Sequence, residues 1–217
     1  QYNNPDNSGI LGLSYHYEMN ADERRIRPFA QAIQKTCKGK RVFESGIGSG
    51  VLSILAAKAG ATKVYATEID PAMIRIAQDN INRNGLQRKI TVLNKDTRDV
   101  KISDLDFEKV DVAIAEHLST WQVMEPQISV FNHINAALIK PDGIRIPESI
   151  DNCVELAQSI YQFDGGIDLR THYYEFSGVQ KPRPLSSKQV FSVIDIAQEN
   201  PTTSQGVVLV SVVDDGV

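Results

Sequence analysis

ESGIGSGVLSILAAKAG, residues 44–60, sets glycines at 46, 48 and 50 directly after the short apolar run RVF and ahead of a stretch of helix formers. A turn without side chains between a strand and a helix lets the backbone come close to a bound ligand, and it tolerates left-handed backbone that other residues resist. The stretch therefore predicts a strand, a ligand-facing turn and a helix, the opening unit of a parallel α/β sheet.

Working outward, the same alternation continues to about residue 147. KRVFE (40–44) reads as the first strand and Val51 to Ala59 as its helix, closed by Gly60. KVYATE (63–68) reads as the second strand, followed from Pro71 by a helix with Met73, Ile74, Ile76, Ala77 and Ile81 at helical spacing, stopped by Asn84-Gly85. KITVLN (89–94) and DVAIAE (111–116) are the third and fourth strands. A further helix from Pro126 is expected to turn Ile128, Phe131, Ile134, Ala137 and Leu138 inward and to end before Lys140-Pro141-Asp142-Gly143. Upstream, Ala21 to Thr36 reads as a helix preceded by the aromatic-rich GLSYHYEM. Downstream, DNCVELA, VFSVIDI and GVVLVSVV alternate apolar and polar residues as antiparallel strands do. The fold class expected is α/β: a Rossmann-like sheet over 37–147, an N-terminal segment and helix over 1–36 covering its ligand site, and a β-rich, barrel-like substrate or dimerisation unit over 148–217, incomplete at Val217.

Composition narrows the function. With 41% hydrophobic and 23% charged residues the 217-residue chain is that of an ordinary globular protein, and no apolar run reaches the roughly 20 residues a bilayer span needs. QYNNPDNSGI has neither a basic segment nor an apolar run of the signal-peptide kind, so a cytoplasmic place is expected. A net charge of −4 argues against nucleic acid as partner and favours cationic ones. Cys37 and Cys153 have no metal-ligand or disulfide-framework spacing, and His16 and His133 form none either, so no metal is expected.

The turn itself discriminates between cofactors. A nicotinamide-type turn, G-x-G-x-x-G, needs its third glycine where this chain has Val51. The glycine falls at 50 and Glu44 stands before the loop, giving E-x-G-x-G-x-G, which resembles the first motif of class I S-adenosylmethionine-dependent methyltransferases. Gly46, Gly48 and Gly50 would let the amino-acid end of such a ligand lie on the turn, with Glu44 near its ammonium. Glu68, 22 residues after Gly46, ends the second strand where a carboxylate accepts ribose hydroxyls, and Asp96 with Thr97 follow the third strand near the adenine edge. Singly these residues read as a tight turn, a helix cap and surface charge. Three such features in order at strand carboxyl ends point instead to a ligand site.

After the fourth strand the chain reads AEHLSTWQVMEPQ, with carboxylates at Glu116 and Glu125, nine residues apart. Glu116 ends an apolar strand, and Glu125 precedes the proline that opens a helix, where the dipole alone favours an anion. Two carboxylates facing a methyl donor suit a guanidinium, a planar fork of donors that stays charged. From Tyr15 to about Pro147 the chain resembles the protein arginine methyltransferase family, through YHYEMNADERR, ESGIGSGVLSILAAKAGATKVYATE and the two-glutamate hairpin. The resemblance implies Met19 on the donor's sulfur side, Arg25 on its carboxylate, Glu68 on its ribose, and Glu116 with Glu125 on the substrate guanidinium, which belongs to a protein, a peptide or a small molecule. It also implies a β-barrel after Ile144-Arg145-Ile146-Pro147 and leaves a homodimer open.

The departures from that family are specific. Leu118-Ser119-Thr120 stands where the family has Met-Gly-Tyr, His117 replaces a large residue, and THYYEF (171–176) lies too early to be the family's Thr-His-Trp loop. Two other readings therefore stay open: a methyltransferase acting on another small-molecule acceptor, and a catalytically silent scaffold that binds the donor.

Overall fold

The structure, a computed structural model, describes residues 13–118, 125–158, 162–163, 167–168, 183–203 and 207–211. Five strands form one parallel sheet in the order β3-β2-β1-β4-β5: β1 Arg41–Ser45, β2 Lys63–Glu68, β3 Ile90–Asn94, β4 Val110–Ala115 and β5 Ile139–Ile146. The order runs outward from β1 in both directions, so the crevice at the carboxyl ends of β1 and β4 is where an open α/β sheet takes its ligand.

β1 is buried along Val42–Ser45 and β4 along Val112–Ala115, as the near-continuous apolar runs of both strands require of a sheet covered on both faces. Helix α3 (Val51–Lys58) follows β1, and α4 (Pro71–Arg83) follows β2 with Asp70 as N-cap, its side chain accepting from the Ala72 amide. Ile33, Val42, Ala56, Val64, Ala77, Ile81, Val112 and Ile114 belong to one core. At the opposite, amino-terminal edge, the Arg41 amide donates to Asp111 Oδ2 and Lys140 Nζ to Asp111 Oδ1, each at 2.8 Å, which pins β1, β4 and β5 together away from the ligand end.

Four expectations need correction. The helix expected over Ala21–Thr36 is α2 (Glu23–Thr36) and starts after Asp22, whose side chain accepts the Arg24 amide and caps it in extended backbone, and the aromatic-rich segment before it is itself a helix, α1 (Leu13–Ala21). Helix α5 (Gln127–His133) passes into a π-helical turn, Ile134–Leu138, and its buried side is Gln127, Val130, Phe131, Ile134 and Leu138, with Ile128 and Ala137 only half-buried. Lys140–Gly143 is not a linker but an irregularity inside β5, where the register with β4 shifts; Pro141 is tolerated there because β5 is an edge strand. Residues 207–211, expected as a strand, carry no strand pairing.

The chain divides into two compact units, Gln1–Ile150 with Asp195–Thr203, and Asp151–Ile194 with Ser204–Val217. Around and within the second lie short strand pairs: β6 (Ser149–Val154) with β11 (Gln189–Asp195), β7 (Ala157–Gln158) antiparallel to β10 (Arg183–Pro184), and β8 (Gln162–Phe163) antiparallel to β9 (Ile167–Asp168). The segment THYYEF and hairpin residues 119–124 lie outside the described residues. Among the described residues no helix is long and apolar enough to cross a membrane.

Candidate active site

The register of the sheet gathers the expected residues. Ser45 pairs with Thr67 and with Ala115, so the glycine turn, Glu68 and Glu116 all begin at the same level of the carboxyl edge. Gly50, at φ 92°, starts α3 in left-handed backbone and offers no side-chain cap. Glu44 does the capping from β1: its carboxyl accepts the Ser53 hydroxyl and the Ser53 amide, one of the orphan donors of the first helical turn. Glu44 is 2% exposed, and burial pushes its carboxyl up to about 8, with the Ser53 bonds opposing the shift. The sequence reading set Glu44 beside a ligand ammonium, and the structure gives its carboxyl the start of α3.

On the donor side, Glu68 is half-buried and accepts three backbone amides, from Gly48 at 3.0 Å, Ile69 at 2.9 Å and Asp70 at 3.0 Å. A carboxylate offers about four lone-pair sites, so Glu68 both ties the glycine turn and keeps capacity toward a ligand. Asp96 takes Arg98 twice through its side chain, Nε at 2.9 Å and Nη2 at 2.6 Å, and Arg98 holds its carboxyl below the usual carboxylate range. Thr97 is 4% exposed, and its hydroxyl lies 2.6 Å from those of both Ser45 and Thr67. That hydroxyl is committed to the interior, which leaves the backbone of Thr97 as what it can offer a ligand. Met19 is half-buried on α1, and its neighbour Asn20 donates to Ser49 Oγ at 2.8 Å, bringing α1 to the glycine turn. Asn80 of α4 donates to the Ser49 carbonyl at 2.9 Å.

Glu68→Ala is expected to weaken S-adenosylhomocysteine binding at least about tenfold, since it removes a charge-assisted bond from the Gly48 amide as well as the carboxylate that the sequence assigns to the ribose. Titration calorimetry reads this, and an unchanged dissociation constant in a folded variant removes Glu68 from the site.

On the other side, Arg25 of α2 pairs directly with Glu116, joining 91 residues of separation, with side chains 23% and 15% exposed. Glu125 sits just ahead of α5; burial raises its carboxyl and the Arg25 charge opposes that rise. Arg25, a residue assigned to the donor, thus pairs with Glu116 and lowers the carboxyl of Glu125 by its charge, so it acts on both residues assigned to the acceptor. His117 follows Glu116, and its Nε2 is 2.9 Å from Ser45 Oγ. Burial lowers its imidazole to about 4; Asp96 opposes this, and Arg25 and Arg98 add to it. The ring is therefore neutral at pH 7.

Sequence reasoning passed over Ser53, Ser45, Thr67 and Gln127. Gln127 is fully buried, its Nε2 donating to the Ala115 carbonyl at 2.9 Å and its Oε1 accepting the His117 amide at 2.8 Å. The available signal was its place one, three and four residues from the apolar positions of α5, an inward position for a polar amide. Among the described residues no group of three or more histidine, cysteine or acidic side chains could hold a metal ion.

Residues 29–146 match the family described as Ribosomal protein L11 methyltransferase (PrmA). The chain belongs to this methyltransferase family. The methyltransferase is 32% identical over 190 residues to an uncharacterized protein of Methanocaldococcus jannaschii, an alignment covering 86% of this chain and 67% of the relative. It is 34% identical over 151 residues to Protein arginine N-methyltransferase 7 of Drosophila persimilis, covering 65% of this chain and 22% of the relative. Its fold matches a Trypanosoma brucei PRMT1 enzyme-prozyme heterotetrameric complex with AdoHcy at a TM-score of 0.70 and 22% identity, over 86% of this chain and 63% of that one. The chain thus spans two thirds of the archaeal relative and less than a quarter of the fly protein. It is a class I S-adenosylmethionine-dependent methyltransferase that resembles the arginine methyltransferases, with the Rossmann-like sheet and following β-rich segment expected from the sequence.

Proposed function

We propose that this methyltransferase moves a methyl group from S-adenosylmethionine to a nitrogen of a guanidino group, in a protein, a peptide or a small molecule. The observation that carries the reading is the charge of the acceptor end. One guanidinium, Arg25, pairs with Glu116 while its charge also acts on Glu125, in a place buried enough to raise Glu125. One carboxylate's charge is left to be balanced, and a second guanidinium balances it with fitting geometry. The relatives named as arginine methyltransferases support the same choice.

The residues on the donor side suit this donor. Glycine backbone at 46, 48 and 50 and the Glu68 carboxylate serve its amino-acid end and its ribose, Asp96 and Thr97 lie beyond β3 for its adenine, and Met19 and Arg25 come from the N-terminal helices. When bound, S-adenosylmethionine supplies a methyl carbon made electrophilic by its sulfonium. Glu116 and Glu125 hold the acceptor guanidinium with one nitrogen toward that carbon. Because Glu116 shares its charge with Arg25, Glu125 pairs more strongly with the acceptor, and uneven pairing concentrates electron density on one nitrogen. Glu125, with its carboxyl raised by burial, is also the better placed to receive the proton that this nitrogen gives up.

Labelled donor incubated with arginine peptides and free guanidines is expected to yield methylated guanidine by mass spectrometry. Label on a different acceptor only, or donor binding with no product at all, replaces this reading with the small-molecule or the scaffold alternative.

A further inference from the structure

We propose that His117 is a positioning residue that couples the donor turn to the acceptor carboxylate, so that the two ligands bind cooperatively through it; this rests on the methyl-transfer reading. The ring is wedged against the first glycine of the turn: a Cβ at Gly46 would stand 2.5 Å from His117 Cε1 and 3.3 Å from its Nε2. Gly46 also has φ 73°, so glycine is required there twice over, once by the backbone and once by the imidazole. The Nε2 bond to Ser45 Oγ at 2.9 Å fixes the ring at the residue just before the turn.

The other side of His117 is main chain, and it holds Glu116. Gln127 bonds the Ala115 carbonyl and the His117 amide, so the residues before and after Glu116 are clamped by one fully buried amide side chain. A displacement of the turn at Gly46 must move the imidazole, and the imidazole moves the backbone next to Glu116. Close packing transmits such a shift because the interior has little room to absorb it. The charged groups facing the ring are Asp96, Arg25 and Arg98. A neutral imidazole suits that setting, since it adds no repulsion to Arg25, which itself pairs with Glu116.

The test is a thermodynamic cycle on the full chain: calorimetric binding of an arginine peptide with and without saturating S-adenosylhomocysteine. Wild type should show a change in peptide affinity of about fivefold or more, near the lower end of typical couplings. In His117→Ala the factor should fall to about one while each ligand measured alone keeps its affinity within about threefold, an outcome that a general loss of structure does not give. Ser45→Ala, a smaller change that removes the hydroxyl shared by His117 Nε2 and Thr97 and leaves the imidazole in place, should lower the coupling on its own, and His117→Gln, which keeps a side-chain partner for Ser45, should recover part of it. No coupling in wild type, or full coupling in both His117→Ala and Ser45→Ala, overturns the proposal. A chain that couples both ligands yet forms no methylated guanidine would sink the reaction assignment and leave the coupling standing.

Discussion

Glu125→Gln is expected to lower methyl transfer to arginine peptides by at least about a hundredfold while S-adenosylhomocysteine affinity stays within about threefold. The isostere keeps shape and hydrogen bonding but removes the charge that balances a second guanidinium, and breaking one partner of a buried ion pair costs about 3–5 kcal/mol. Glu116→Gln should behave differently. It releases Arg25 from its partner as well, so donor affinity and turnover should both move, whereas Glu125→Gln touches turnover alone. Selectivity follows from the same charge count. Citrulline, a neutral urea, brings no cation to offset a desolvated carboxylate and should be a poor acceptor. Steady-state rates with both acceptors check this, and near-normal turnover by Glu125→Gln, or equal use of citrulline and arginine, discards the guanidine reading.

The parts of this molecule that were legible in sequence are those where local pattern and global fold agree. RVF before three spaced glycines, KVYATE before Asp70-Pro71 and DVAIA before Glu116 each combine a buried strand's apolar run with a stop signal, and the sheet contains them as β1, β2 and β4. Alternation failed at 207–211 because it shows what faces a strand could present and says nothing about a partner to pair with. The split at Asp22 was hidden because aspartate inside a helical stretch reads equally as an exposed residue or a cap until its partner, the Arg24 amide, is known. In the site, charge was legible and pairing was not. Glu68, Glu116 and Glu125 stand at strand and helix ends where a carboxylate needs a reason, but nothing along the chain joins Arg25 to Glu116. Neutral hydroxyls and amides gave the least signal, since Ser53 and Gln127 matter only through bonds made to residues far away in sequence.

Glu44→Gln should make the protein relatively more stable as pH rises, and the size of the effect follows from where the carboxyl sits. Its folded value, about 8, is raised above the 4.5 of an unburied glutamate, chiefly by burial under the glycine turn. A group raised on folding contributes stability that is fully present below its unfolded value and is lost as pH climbs through its folded value. Each unit of difference is worth about 1.4 kcal/mol, so ionisation of Glu44 removes on the order of 5 kcal/mol between pH 4.5 and pH 9. Gln has no proton to lose and keeps an acceptor for Ser53, so the gap in melting temperature between variant and wild type should widen steadily over that range. His117 works on the acid side: its value is depressed to about 4 from the usual 6.5, so its contribution is present above 6.5 and fades as pH falls toward 4. That loss is common to both proteins and cancels in the comparison. Thermal melts of the two proteins at half-unit steps measure the gap, and a difference that stays constant from pH 5 to pH 9 would show that Glu44 is ionised throughout, with a cation rather than the start of α3 as its partner. Donor binding then separates the two roles considered for this carboxyl. If it also meets a ligand ammonium, S-adenosylhomocysteine should bind Glu44→Gln about tenfold more weakly at pH 9, where the wild-type group carries its charge, and nearly equally at pH 6.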